Sequence, residues 1–381
     1  MPDTRRNLSG MNPDLQLNPA LDNSPRAAKL PPPRMAAAPL GFGIIGTGMI
    51  AGYHAQAIQQ ARGARLVGVA GRSPENVHAF AAKHQVPFAT TRWDELLARP
   101  DLQVVCITTP SGAHLEPALA AIRAGKHVVI EKPLEITPAR ADEIIQAAAA
   151  AGVRLAPIFQ ARFGHGAQTV KAALDAGRFG RLVLASAYVK WHRTAAYYSG
   201  WKGTLHLDGG GALINQSIHG LDLLQWFAGL PAEVFAWTTR RVHTGIEAED
   251  TACASLRFPG GALGTIEATT ALWPGWARRI EICGEHGSVC LEDDRIARWD
   301  FATAEPGDVA IRTARPEDAL GSGAGSPTAI SYEGHLRQLQ DLVDALRDNR
   351  PLAIEGSEGR KAVALVHALY TSAATGVPVK L

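Results

Sequence analysis

Two short stretches carry side chains able to move a proton. "VVIEKP" runs from an apolar segment into Glu131, Lys132 and Pro133. "GGGALINQSIHGLDLLQW", residues 209–226, sets Asn215, Gln216, His219 and Asp222 among Leu213, Ile214, Ile218, Leu221, Leu223 and Leu224. Read as one helix, at about 100° per residue, Asn215, His219 and Asp222 fall within about 60° of one another, and Ile214, Ile218, Leu221 and Leu224 take the opposed, core-facing arc. The spacing predicts one polar face turned into a cleft, with the glycine run letting backbone and ligand approach at its start. An imidazole, with a pKa of about 6.5, suits a general base near neutral pH. A lysine, at about 10.4, has to be lowered by burial or a neighbouring cation, or else stays charged and stabilises a developing alkoxide. An amide exchanges no proton but orients a hydroxyl through its donor and acceptor. Lys132, His219 and Asn215 are therefore the catalytic candidates, for moving a proton on or off a substrate hydroxyl. Asp222, one turn beyond His219, either holds the ring or caps a loop.

The elements before them say what those groups work beside. "GFGII" reads as a strand, "GTGMIA" (Gly46 to Ala51) as a glycine turn of the form G-x-G-x-x-A, and "MIAGYHAQAIQQ" as a helix. Gly46 permits the tight turn, Gly48 lets backbone approach a pyrophosphate, and the helix N-terminus offers free N–H groups. Thr47, Met49 and Ile50 belong to the same turn. A strand–turn–helix of this kind at the head of an alternating series predicts a dinucleotide site. An NAD site usually ends its second strand on a carboxylate that holds the ribose 2′-OH. Here that point reads "VAGRS", with Arg72 and Ser73 in place of an acid. Arginine pairs well with a 2′-phosphate, so NADP is expected over NAD, the alternative being a solvated turn arginine. Thr109, Pro110 and His114, after the strand "VVCITTP", and Glu131 and Lys132, after "HVVI", complete the expected cofactor set. Ligands of open α/β sheets lie outside the carboxyl ends of the strands, which is where Lys132 stands.

The series continues with "RLVGVAG" as strand and "SPENVHAFAAKH" as helix, capped by Ser73. "TPARADEIIQAAAAAG" is a further helix, with Thr137 at its N-cap, Pro138 at N1 and Gly152 at its C-cap. Near-continuous apolar strands alternating with amphipathic helices predict a parallel sheet covered on both faces over residues 40–156. From 157 to 381 the strands lengthen and alternate ("RLVLASAYVKWH", "DTACASLRFPGG", "RRIEICGEHGSVCLED"), with turns such as "FPGG" and "GEHG". That pattern predicts a mostly antiparallel sheet. Two closing helices leave packing back onto the first domain open. Residues 1–39, with "KLPPPR", are expected to be disordered.

The chain has 381 residues, 46% hydrophobic and 19% charged, with a formal net charge of +2. Two globular domains are expected, with no nucleic-acid or membrane partner. Four cysteines without C-x-x-C spacing read as reduced thiols, and no His/Cys/carboxylate set has metal-ligand spacing, so no metal is expected. With no apolar h-region or spanning stretch, a cytoplasmic enzyme is expected.

"GTGMIA", "EKP" and "GGGALINQSIHGLDLL" together resemble the glucose–fructose oxidoreductase/inositol dehydrogenase (Gfo/Idh/MocA) family, over about residues 41–381. The resemblance implies an α/β fold: an N-terminal Rossmann domain with a doubly wound parallel sheet, then a C-terminal α/β domain with a large, open, mostly antiparallel sheet. It also implies pyridine-nucleotide redox chemistry on sugars, polyols or nucleotide sugars, and homodimers or homotetramers built through the open sheet. The family lysine corresponds to Lys132 and the family histidine to His219. Many relatives carry Asp where Asn215 stands, which shifts acid–base work here onto His219 and Lys132.

"YYSGWKGT" combines aromatic faces with a cation, so Tyr197, Trp201 and Lys202 are candidate substrate contacts beside Lys132, Asn215 and His219. Arg162 is a further substrate candidate, and Lys190 and His335 are weaker ones. Trp273 and Trp276 read as packing or a subunit contact. The expectation is an NAD(P)-dependent dehydrogenase of a sugar-like substrate. The alternatives are an NAD-dependent glycosidase of the same fold and a non-catalytic dinucleotide sensor.

Overall fold

In the computed structural model of the chain, residues 38–314, 323–325 and 331–381 are described. The expected disorder of the N-terminal stretch falls on residues 1–37, outside that set, apart from its last two residues.

The first sheet is wholly parallel. Its strands are β1 (Leu40–Ile45), β2 (Ala64–Ala70), β3 (Ala89–Thr90), β4 (Val104–Ile107), β5 (His127–Ile130) and β6 (Leu155–Pro157), in the order β3-β2-β1-β4-β5-β6. Helices α1 (Met49–Gln60), α2 (Pro74–His84), α3 (Trp93–Leu97), α4 (Leu115–Arg123) and α5 (Pro138–Ala151) connect them. Because successive strand residues point to opposite faces, the strands are apolar on both. Ile44, Cys106 and Val129 join one core with α1 and α2, while Ile45, Val105, Ile107 and Ile130 join a second with α4 and α5. Ser73 caps α2 by accepting from Asn76 N, and Thr137 caps α5, which Gly152 ends in the left-handed region.

After α6 (His165–Asp175), a second sheet holds eight strands: β7 (Leu182–Lys190), β8 (Glu233–Thr239), β9 (Thr251–Arg257), β10 (Leu263–Thr269), β11 (Arg279–Gly284), β12 (Gly287–Glu292), β13 (Arg295–Phe301) and β14 (Val379–Lys380). Their order is β13-β12-β11-β7-β10-β9-β8-β14. All neighbours are antiparallel except β7 and β10. That exception arises because the β8–β9–β10 meander returns beside β7. In β9, Ala252, Ala254 and Leu256 are buried while Cys253, Ser255 and Arg257 face out, the alternation of a sheet with one covered face. The cover is α7 (Ile218–Ala228), lying on β7 and β11, and α10 (Gly356–Thr375), lying on β8. A short α8 (Asp308–Thr313) packs on β13, and α9 (Glu333–Asp348) crosses back to α1 of the first sheet. No helix among the described residues is long and apolar enough to cross a membrane.

The stretch after the glycine run is not one α-helix. Ala212–Gln216 form a π-turn, and α7 starts only at Ile218. The cause lies outside the stretch. The buried Glu249 carboxylate accepts from Gly211 N at 3.0 Å and Leu213 N at 2.8 Å, and Gly210 and Gly211 pass so close to Tyr370 and the Glu249 backbone that no side chain fits. Such a π-bulge re-aims the residues that follow it.

Candidate active site

A cavity of about 750 Å³ opens at the carboxyl ends of β1, β2, β4 and β5 and runs to the π-turn and α7. At one end the wall is backbone. Gly46 has φ +115°, and a Cβ there would stand 2.7 Å from the Thr108 carbonyl oxygen. Gly48 precedes α1 without a side-chain cap, and a Cβ on it would meet nothing within 4 Å. That open approach to a helix N-terminus fits a pyrophosphate. Thr47, Met49, Ile50, Arg72, Ser73, Thr109 and Pro110 line the same end. Arg72 is exposed. Thr109 spends its hydroxyl on Ala113 O, at 2.8 Å. His114 does not line the cavity. It is buried between the Thr109 and Pro133 carbonyls, each 3.0 Å from a ring nitrogen, so it ties two loops together instead of touching a ligand. The residues at this end fit a dinucleotide.

At the other end the wall is side chain. β5 delivers Glu131 and Lys132. One oxygen of Glu131 accepts from His54 Nε2 at 2.9 Å and from His335 Nε2 at 3.0 Å, and the other from Lys132 N at 3.0 Å. Burial alone would raise this carboxyl, but the two imidazole donors outweigh it and hold Glu131 well below the usual range. Among the described residues, His54, Glu131 and His335 are the one group whose donor types and proximity suit a metal, a juxtaposition of residues far apart in the chain. At these distances they are hydrogen-bonded to one another, and His335 sits behind Glu131 instead of lining the cavity.

Lys132 Nζ donates to the Asn215 carbonyl oxygen at 2.8 Å and lies 3.5 Å from its Oδ1. Asn215 Nδ2 in turn donates to Asp208 Oδ1 at 2.5 Å, and Asp208 also accepts from Gly203 N at 2.8 Å. A carboxylate partner fixes the amide: its nitrogen faces Asp208 and its oxygen faces Lys132. Burial lowers Lys132, opposed by the charges of Glu131 and Asp208. Burial, with the charges of Lys132 and Arg278, holds His219 well below its ordinary value, so the ring is neutral across the working range. Burial pushes Asp208 up to about 6.

Lys132, Asn215 and His219 thus open onto one cavity, with Tyr197, Trp201 and Lys202. Gln216 Nε2 donates to Tyr197 Oη at 2.9 Å, and the Lys202 ammonium lies 3.9 Å from the Tyr197 ring centre. Arg162 does not line it, which corrects its assignment to the substrate. Its guanidinium holds Asp222 with two bonds of 2.7 Å and Glu358 with one of 3.1 Å, in the protein interior. Asp222 is therefore off the polar face expected from a single helix, turned to Arg162 although it shares α7 with His219; the π-turn shifts only Asn215 against that helix. Lys190 pairs with Glu267 at 2.5 Å, outside the cavity. Trp273 and Trp276 are exposed. Gln160, Trp191, Arg193 and Arg278 line the cavity without having been expected, and Asp208 stands behind it. Gln216, inside the quoted motif, carried a signal; the others lie in unremarkable runs.

A fold of this topology, with a glycine turn and a lysine at the strand ends, defines a nicotinamide-dependent oxidoreductase. Residues 40–159 match the model of the oxidoreductase family with an NAD-binding Rossmann fold, and residues 167–290 that of the GFO/IDH/MocA C-terminal domain. The chain belongs to the Gfo/Idh/MocA family. It is 35% identical to an inositol 2-dehydrogenase of Gluconacetobacter diazotrophicus, over 77% of this chain and 90% of that one. It is 29% identical to a 1,5-anhydro-D-fructose reductase of Ensifer adhaerens, over 88% and 96%. The WlbA dehydrogenase of Bordetella pertussis, solved with NADH and UDP-GlcNAcA, superposes with a TM-score of 0.80 at 33% identity, over 90% of this chain and 99% of that one.

Proposed function

We propose that the chain oxidises a secondary alcohol, or reduces the matching ketone, on a sugar, polyol or nucleotide sugar. The observation that carries this reading is that Lys132, Asn215 and His219 open onto the cavity that starts at the Gly46–Ile50 turn. A bound nicotinamide dinucleotide supplies the hydride acceptor or donor. Neutral His219 accepts the proton of the substrate hydroxyl, and the Lys132 ammonium, lowered by burial, stabilises the oxygen as it gains charge. Asn215, its amide held by Asp208, presents an acceptor oxygen between them. The relatives named above act on or bind an inositol, an anhydro-sugar and a nucleotide sugar, which sets the substrate class. A panel of polyols, sugars and nucleotide sugars, scored by the absorbance of reduced nicotinamide, tests the reading; turnover of none of them overturns it.

Two finer features belong to the same reading. NADP(H) is preferred over NAD(H), because β2 ends at Gly71–Arg72–Ser73 with no carboxylate for a ribose hydroxyl and an exposed guanidinium for a 2′-phosphate. Arg72→Ala should narrow the preference by about 1–3 kcal/mol, and equal affinities in the unmodified protein, by titration calorimetry, would sink it. The chain also forms a homo-oligomer through the uncovered face of the second sheet, where Leu184 and Leu263 sit opposite each other across β7 and β10, half exposed, and where Trp237 of β8 is exposed as well. Sedimentation at micromolar concentration tests this, and a monomer rejects it.

A further inference from the structure

The substrate end of the cavity is lined by four cations: Lys132, Arg193, Lys202 and Arg278. Among the described residues none of them forms an ion pair with a carboxylate. Arg193 Nη1 donates to the carbonyls of His192 and Ala324, and Arg278 Nη2 to the carbonyl of Asp293. Lys202 rests on the Tyr197 ring. Arg193 and Arg278 are only 4% and 9% exposed, and each keeps an Nε–H without a partner. Trp191, 7% exposed, likewise keeps an unpartnered indole N–H. The carboxylates that share this wall are already engaged: Glu131 by two imidazoles, and Asp294 by the N–H groups of His165, Gly166 and Ala167 at the start of α6. Asp208 is committed to Asn215 and Gly203.

Buried cations and unfilled donors are costly unless something answers them. Burial holds both Arg193 and Arg278 below their ordinary values, against the opposing charges of Asp293, Asp294 and Asp222 on Arg278 and the nearby Tyr197 and Tyr198 on Arg193. A pyrophosphate does not supply it, because that group belongs at the Gly46–Ile50 turn, at the other end of the cavity. The same wall also carries two unpartnered acceptors, Gln160 Oε1 and Gln216 Oε1, which suit hydroxyl groups.

We propose that the substrate is a sugar bearing an oxyanion, a carboxylate or a phosphate, seated among Trp191, Arg193, Lys202 and Arg278, with its hydroxyls on Gln160 and Gln216. The inference rests on the sugar-oxidoreductase reading above for the identity of the rest of the ligand. It makes Arg193 and Lys202 specificity-determining residues: they choose the charged sugar over its neutral counterpart.

The test uses the full-length protein and three probe classes: hexuronates, hexose phosphates and neutral hexoses with myo-inositol. Turnover is read by reduced-nicotinamide absorbance, and binding by calorimetry on protein saturated with reduced dinucleotide. One anionic class is expected to exceed the neutral class in kcat/KM, and which one does so tells carboxylate from phosphate. Arg193→Gln and Lys202→Gln should each lower the anion's kcat/KM, mainly through KM, on the order of 10–100-fold, and the neutral sugars' far less. Lys202→Arg should restore most of the loss. Neutral sugars turned over as well as both anionic classes, with the variants affecting all alike, overturn the anion subsite and leave the oxidoreductase reading standing. Anionic sugars that bind, and lose binding in the variants, but are never turned over support the subsite and overturn the oxidoreductase reading. No binding and no turnover of any anionic class overturns the proposal.

Discussion

The two ends of the cavity are built by different means. The cofactor end is mostly main chain: a left-handed glycine, an open glycine and a helix N-terminus, all within Gly46–Ile50. The substrate end is mostly side chain: Lys132 on Asn215, Asn215 on Asp208, and Glu131 on two histidines. A backbone site needs a few residues with permissive geometry, and local sequence supplies them. A side-chain site needs partners brought from far along the chain, and each partner is desolvated, so losing one leaves a buried charge or donor behind. The first end should therefore tolerate change by losing ligand, and the second by losing chemistry or fold.

The largest effect expected is at the proton-handling pair. Lys132→Ala and His219→Ala should each lower kcat by about 10²–10⁴-fold while dinucleotide affinity, set at the other end, hardly changes. The double variant should lose less than the product of the two, because groups acting as a unit are not additive. Single-turnover rates beside a dinucleotide titration check this. Near-normal turnover in His219→Ala would remove it from the chemistry.

Next comes the buried ion pair. Arg162→Ala strands Asp222 in the interior and should cost about 3–5 kcal/mol of unfolding free energy, read by denaturant titration. Arg162→Met with Asp222→Leu should recover most of that, since it removes both charges. A small loss in the single variant would mean that water reaches Asp222.

The cofactor end separates fold from ligand within three residues. Gly46→Ala forces a positive φ on alanine and meets the Thr108 carbonyl, so it should cost about 1–3 kcal/mol of stability. Gly48→Ala has ordinary backbone geometry and an open Cβ, so stability should change by about 0.5 kcal/mol or less while dinucleotide affinity falls. Thermal unfolding paired with calorimetry checks both. Unchanged affinity in Gly48→Ala would break the contrast between the two ends.

The same contrast explains what could be read from the sequence. The parallel sheet, the glycine turn and the position of Lys132 follow from local periodicity and from a strand ending where ligands bind. His114 and Arg162 were misplaced because polar type says nothing of which neighbour a side chain meets: two loop carbonyls in one case, Asp222 in the other. The helix holding Asn215 and His219 was right in content and wrong in register, because Glu249, far along the chain, draws the backbone into a π-turn. Asp208 went unseen for a plainer reason. Next to a run of glycines it reads as a turn residue, and only the fold turns it toward Asn215.

Asp208 gives the smallest and most specific prediction. Its carboxyl is pushed up to about 6 by burial, against the opposing pull of Gly203 N–H, Asn215 and the two lysines. As pH falls through about 6 it takes up a proton, Asn215 loses its charged partner, and Lys132 loses a charge that favours its ammonium. His219, held well below its ordinary value, stays neutral over the same range and produces no limb there. An acid limb in kcat near pH 6 is therefore expected from Asp208, and Asp208→Asn, which holds the neutral form at every pH, should remove it and lower kcat at neutral pH by the few-fold depth of that limb. Stability follows with a definite sign. A carboxyl raised in the folded state stabilises the fold while protonated, and that stability is lost as pH rises from about 4 through about 6, by about 2–3 kcal/mol. Asp208→Asn should remove that share of the decline. Glu249, pushed up to about 7 by burial, has the same sign and should keep its own share in the variant. Urea unfolding at several pH values between about 4 and 7, beside the kcat profile, measures both. A limb that stays near pH 6 in Asp208→Asn would assign it to another group and detach Asp208 from the catalytic network.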